Sequence, residues 1–245
     1  MQSGIKAYFD LANQQLAEIL NSQLSVMTEV AELWTKAIQA NHLLYSFGSG
    51  HSRYIAGELY FRAGGLAPVM TIHDPSMGSA ERLEGFAETF IENYPVERGD
   101  LLLVISNSGI NPLPIEIAMW AKTQGAKVIA LTNLAQSQEA KSRHSSGKKL
   151  YECADYVLDN CGSDGDAGID IPGYSFKVGP SSTLTGVAIL NAIVTQTAFN
   201  LAQAGQTPPV LVSANVPAGD AHNQTMIDTY WPRLASFPLR KIKSG

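Results

Sequence analysis

Five short apolar runs, each closing on Gly, Ser or Asn and each followed by a helical stretch, constrain this chain more than any other feature. They fall at residues 43–47, 67–72, 101–105, 127–131 and 156–158. Strands that are apolar throughout must be covered on both faces, and connections long enough for helical crossovers let neighbouring strands run parallel. The expectation is an α/β fold with a parallel sheet between helical layers. In open sheets of this kind ligands bind beyond the C-terminal strand ends, so the residues after each run carry the most functional weight.

Ahead of the first run, Ile5, Phe9, Ala12, Leu16, Ile19, Leu20, Met27, Val30, Ala31, Trp34 and Ile38 keep the three-and-four spacing of an amphipathic helix. One long helix, or two broken near Asn21 and Ser22, satisfies that pattern. The segment 1–40 therefore packs on the main domain, 41–245, or on a second subunit. Two stretches depart from the repeat. Residues 74–95 read as helix but carry Glu81, Glu84, Glu88 and Glu92, and residues 159–179 are rich in Gly and Asp and read as a long loop.

At 245 residues the chain suits one large domain or two small ones. A net charge of -5 with only 16% charged residues provides no broad basic face, which argues against a nucleic-acid partner. Cys153 and Cys161 are too few for a disulfide framework or a four-ligand zinc site. A reducing compartment suits them, and the start of the chain lacks a basic region followed by an apolar core, so cytoplasm is expected. The apolar stretch 183–204 is interrupted by Asn191, Thr195, Gln196, Thr197 and Asn200, which favours a buried core helix over a membrane span.

Two strand-end loops could carry chemistry. The first, Gly48-Ser49-Gly50-His51-Ser52, combines turn-forming glycines with hydroxyls at a helix start. A dinucleotide fingerprint competes, with Asp74 at the end of the second run as ribose ligand. Arg53, however, stands where that fingerprint needs its third Gly. The second loop, Ser106-Asn107-Ser108-Gly109-Ile110-Asn111-Pro112, offers two hydroxyls, an amide and backbone N–H groups before another helix. Such a loop can hold a phosphate monoester without Lys or Arg, aided by the positive end of the helix dipole. Asn111 as a simple helix cap is the alternative.

Together, Gly48-Ser49-Gly50-His51-Ser52 and Ser106-Asn107-Ser108-Gly109 resemble the sugar isomerase (SIS) domain of phosphosugar-binding proteins, over roughly residues 40 to 205. The resemblance implies a three-layer α/β/α sandwich with a five-stranded parallel sheet. It further implies phosphate at Ser106, Asn107, Ser108 and Gly109, and sugar hydroxyls near Ser49 and Ser52, with His51 at the ligand. Asn111 stands where family members often have Ser or Thr. Ser181 and Ser182 match the polar start of the family's last helix, although Ser182 also reads as a cap.

Aldose–ketose isomerisation needs a base that moves a proton between adjacent carbons and an acid that assists ring opening. Glu58 on the first helix, Glu84 in the acidic stretch and His222, as acid/base or ligand in a polar Gly-Asp-Ala-His-Asn turn, are the catalytic candidates, with a solvated face as the rival for the two glutamates. His51, His73, Asp74, Asp220 and His222 could assemble around a metal, but no ligand spacing supports one, and neither a metal nor another cofactor is expected. The expected function is phosphosugar binding, with isomerase or lyase action on a hexose or aminohexose phosphate. A non-catalytic phosphosugar sensor is the alternative, and a homodimer or larger homo-oligomer is expected from the N-terminal stripe.

Overall fold

The computed structural model describes residues 3–234, so the last stretch of the expected main domain, 235–245, lies outside the described residues. One helix, α1 (Gly4–Gln39), fills the N-terminal segment without a break at Asn21 and Ser22. It stops at Ala40 because Asn41 turns into the left-handed region at φ 61°, and the N–H of His42 bonds back to the carbonyl of Ala37 at 2.9 Å. From there the chain runs β1 (Leu44–Gly48), α2 (Ser52–Glu58), β2 (Val69–Ile72), β3 (Leu101–Ile105), α3 (Pro112–Thr123), β4 (Lys127–Thr132), α4 (Leu134–Glu139), α5 (Leu150–Cys153) and β5 (Tyr156–Asp159). A hairpin of β6 (Ala167–Asp170) and β7 (Lys177–Pro180), then α6 (Ser182–Gln203) and α7 (Gly219–Leu234), complete it.

The five apolar runs are the five strands of one parallel sheet, in the order β2-β1-β3-β4-β5. Their side chains alternate between two cores. Leu101, Leu103 and Ile105 of β3 face α1, α2 and α6, whereas Leu102 and Val104 face α3 and α5. Burial of every residue of β1 and β3 is why no polar alternation marks the centre of the sheet in the sequence. Trp34 of α1 is 1% exposed within the first core, so replacing it with Ala would cost about 3–5 kcal/mol. Helix α1 thus belongs to the core, packed along α6 and tied to it where Thr197 Oγ1 donates to the Ala31 carbonyl at 3.4 Å. Ile5, Phe9, Leu20 and Leu24 of the same helix stay exposed.

Three stretches differ from the sequence expectation. Residues 74–95 do not form a helix: the chain turns at Met77, Gly78 and Gly85, all with positive φ, and only two 3-10 turns, Phe86–Thr89 and Ile91–Asn93, follow. The loop expected over 159–179 contains the β6–β7 hairpin, which packs on α1 where Tyr8 donates its hydroxyl to the Pro180 carbonyl at 3.1 Å. The polar turn around His222 is the first turn of α7. By length and composition alone α6 could cross a membrane, but 44% of its most apolar window is buried inside this fold.

Candidate functional site

The order of the strands in the sheet reverses between β1 and β3, and at such a point a parallel sheet opens a crevice at the C-terminal ends of its strands. Gly48 pairs with Ile105, so both loops leave the sheet side by side. Between them lies a cleft of about 290 Å³, lined from the first loop by Ser49, His51 and Ser52 and from the second by Ser106, Asn107, Ser108 and Asn111. Ser182 closes one side, joined by five lining residues outside the expected set: Glu81, Ile105, Gln136, Gly165 and Asp166. Gly48 borders a neighbouring cleft instead, and Gly50, Gly109 and Ser181 shape the loops without lining this one.

The first loop is held by packing against the segment after β2. Gly50 has φ 54°, and a Cβ on Gly78 would stand 2.6 Å from the Gly50 Cα, so the two backbones touch. Ser49 donates its hydroxyl to Asp74 Oδ2 at 2.7 Å, and Asp74 also accepts from the Ser76 N–H at 2.8 Å, the Ser76 hydroxyl at 2.7 Å and the Gly78 N–H at 2.8 Å. The carboxylate expected at a ribose under the dinucleotide alternative is thus committed to loop architecture. His51 stays exposed, its ring edge-on to Tyr54 at 5.1 Å.

The second loop is built to present donors. Gly109 has φ 63°, and a Cβ there would meet Ser137 Oγ at 2.6 Å, a fit that only glycine allows. Ser106 Oγ accepts the Gly109 N–H at 3.2 Å, which leaves its own hydrogen for another partner. The carbonyl of Asn107 accepts from the Asn133 N–H at 2.9 Å and from Thr132 Oγ1 at 3.1 Å, and Asn107 Oδ1 accepts from Asn160 Nδ2 at 2.8 Å. The N–H groups of Asn107, Ser108, Ile110 and Asn111 make no hydrogen bond to the described residues. Backbone amides left without a partner at a strand end can hold an anion.

Helix α3 adds less to that site than the sequence implied. Pro112 and Pro114 have no N–H, and the N–H of Leu113 bonds to the Glu81 carbonyl at 3.2 Å. The first turn therefore contributes its dipole but few donors, and the loop amides must do the holding. Asn111 does not cap α3 through its side chain. Its Nδ2 donates to Glu81 Oε1 at 2.8 Å and its Oδ1 accepts from Arg143 Nη1 at 2.7 Å. That bridge fixes the Glu81 carboxylate between the two loops, with Oε2 3.4 Å from where a Gly50 Cβ would stand.

None of the three catalytic candidates reaches this cleft within the chain. Glu58 pairs with Arg62 one turn on. Glu84 lines a separate cleft of about 480 Å³ with Glu116 and His144. There it accepts from the Ser145 hydroxyl and from the Ser145 N–H at 2.9 Å, and those bonds hold its carboxyl below the usual range. His222 sits on α7, where its Nε2 meets the Val210 carbonyl at 2.8 Å. Val210 pairs with Leu66 ahead of β2, at the opposite end of the sheet from the loops. Glu81, three residues earlier in the same acidic stretch, is the one that lines the cleft between the loops. With turns in place of a helix, side chains three apart no longer share a face. Among the described residues no cluster of His, Cys, Asp and Glu could hold a metal ion.

A family model described as the SIS domain matches residues 7–133 of the chain. The UPF0309 protein of Shouchella clausii is 37% identical over 238 residues, covering 93% of this chain and 97% of that protein. That of Halalkalibacterium halodurans is 38% identical over 239 residues, covering 94% and 99%. Among solved structures, a phosphoheptose isomerase from Francisella tularensis superposes with a TM-score of 0.56 at 19% identity, covering 79% of this chain and 95% of that one. The Vibrio vulnificus NanR protein complexed with ManNAc-6P gives a TM-score of 0.53 at 13% identity, covering 95% and 70%. At these identities the structural likeness shows the shared fold.

Proposed function

This chain belongs to the SIS-domain family, alongside the UPF0309 proteins, and on that premise we propose that the cleft between β1 and β3 binds a phosphosugar. The observation that carries the reading is the 106–111 loop, with four unspent backbone N–H groups and the hydroxyls of Ser106 and Ser108 at one end of a cleft of sugar size. The phosphate sits there, and Ser49, His51 and Ser52 face the sugar. A neighbour of the same fold, NanR, lends support by its ligand, ManNAc-6P.

The finer reading is aldose–ketose isomerisation, or a related lyase reaction, on a hexose or aminohexose phosphate. Glu81 is the carboxylate positioned for it. One oxygen is anchored by Asn111 and the other makes no hydrogen bond to the described residues, so the group can take the proton from C2 and return it at C1. His51 is the titratable partner for ring opening. A sensor without turnover is the second reading, favoured by the absence of Glu58, Glu84 and His222 from the cleft.

Proton NMR in heavy water with a panel of hexose and hexosamine 6-phosphates separates the two. Loss of a sugar's C2 proton signal in the wild type, abolished in Glu81→Gln, is the result expected of the isomerase. Line broadening without exchange supports the sensor, and silence across the panel overturns the ligand class.

A further inference from the structure

Asp166 lies in the same cleft as a carboxylate already seated on the first turn of α6. Its Oδ1 accepts the N–H groups of Ser181 at 3.1 Å and Ser182 at 2.8 Å, and its Oδ2 accepts the Ser182 hydroxyl at 2.9 Å. It reaches them from a left-handed backbone position, φ 73°, which Asp tolerates better than most residues. Beside it the Ser181 hydroxyl is buried without a partner among the described residues, on a residue 1% exposed. A helix of 22 residues presents roughly half a positive charge at this end, which favours an anion. The chain supplies that anion itself.

The segment that delivers Asp166 is tied to the phosphate loop. Asn107 holds Asn160, Asn160 Oδ1 accepts the Gly162 N–H at 2.9 Å, and Asn133 Nδ2 donates to the carbonyls of Gly162 at 2.9 Å and Ser163 at 3.1 Å. Asp166 is therefore part of the same framework as the second loop rather than a loose side chain. With Glu81 it places two carboxylates in a cleft that, among the described residues, no Lys or Arg lines. One anionic group of a ligand can go to the 106–111 amides. A second anionic group elsewhere in the cleft would meet the carboxylates of Asp166 and Glu81, with no Lys or Arg in the lining itself to offset them.

We propose that Asp166 is a specificity-determining residue that confines the cleft to sugars bearing one phosphate and an uncharged or cationic remainder, excluding phosphorylated sugar acids and bisphosphates. The inference rests on the phosphosugar reading above. Calorimetric titration of the full chain with glucose, fructose and glucosamine 6-phosphates, 6-phosphogluconate and fructose 1,6-bisphosphate tests it.

The best monophosphate should bind at least about tenfold more tightly than either doubly anionic sugar, the size of one charge-assisted hydrogen bond. Asp166→Ser, which frees Ser181 and Ser182 while removing the charge, should shrink that ratio about tenfold, chiefly by strengthening the sugar acid. Asp166→Glu should retain it. Equal wild-type affinity for monophosphate and sugar acid, or a ratio unmoved in Asp166→Ser, overturns the inference and leaves the phosphosugar reading standing. Binding of none of the five overturns the reading itself. Should Asp166→Ser fail to fold, the wild-type ratio at low and high salt decides: exclusion by charge fades with ionic strength, exclusion by shape does not.

Discussion

The Ser49 hydroxyl donates to Asp74 at 2.7 Å across the gap between the first strand-end loop and the segment after β2. The bond spends the only hydrogen that Ser49 has, so towards a ligand this side chain can only accept. It also makes Asp74 the hub of the loop pair, because the same carboxylate receives three further donors from Ser76 and Gly78.

Asp74→Ala is therefore expected to leave four donors without their acceptor and to destabilise the fold by about 2 kcal/mol. Thermal unfolding should fall by several degrees, and affinity for a sugar phosphate should fall with it as the Gly50–Gly78 contact loosens. Unchanged melting would mean that solvent replaces the carboxylate without loss.

Ser106→Ala and Ser108→Ala should each weaken binding of a sugar phosphate about tenfold, the loss of one hydrogen bond to a charged group. Ser108→Ala should move neither the circular dichroism nor the unfolding midpoint by much, whereas Ser106→Ala should also lower the midpoint, because the Gly109 N–H loses its acceptor. Titration calorimetry on the folded variants checks both. Wild-type affinity in the pair would remove the second loop from the site.

The Glu84 carboxyl is held below its ordinary value of 4.5, first by the Ser145 hydroxyl and then by the Ser145 N–H. Because the folded value is depressed, whatever these bonds contribute is present above about pH 4.5 and is lost as the pH falls through the folded value. Ser145→Ala should raise the Glu84 titration towards 4.5 without fully restoring it, since the backbone donor survives. Carbon-detected NMR titration of the side-chain carboxyl reads this directly, and an unmoved midpoint would show that the hydroxyl does not reach Glu84 in solution.

Ile5, Phe9, Leu20 and Leu24 stand exposed on α1, spaced four, eleven and four residues apart, which keeps them near one face of the helix. We expect this face to pair copies of the chain, giving a homodimer or larger homo-oligomer at micromolar concentration. Analytical ultracentrifugation should find that assembly in the wild type and a shift towards monomer in Leu20→Glu/Leu24→Glu. A wild type that sediments as a monomer would rule the pairing out.

The sheet was open to reading from the residues because a strand buried on both faces has to be apolar at every position, a local property. The helical spacing of α1 was equally legible, and the direction of each of its faces was not, since packing on α6 and exposure to a partner call for the same pattern. The two strand-end loops announced themselves through Gly, Ser and Asn clusters at predictable places. Composition could not show that Pro112 and Pro114 strip donors from α3, nor that Asn111 turns its amide to Glu81 and Arg143.

The acidic stretch shows where local reasoning ends. Glu81 and Glu84 look equivalent in a helical reading, yet the turns at Gly78 and Gly85 send one into the cleft and the other to Ser145. Asp166 lay within a segment that reads as loop, and its place depends on a hairpin held by α1, more than a hundred residues earlier. His222 sits in a sequence that reads as a turn and packs against Val210 because the strand edge near Leu66 is there to receive it. Strand identity and loop chemistry follow from neighbours a few residues apart, so the amino-acid order carries them unaided. Which acid enters the cleft, and which helix end is already neutralised, follow from contacts between segments distant in the chain, and these exist only once it has folded.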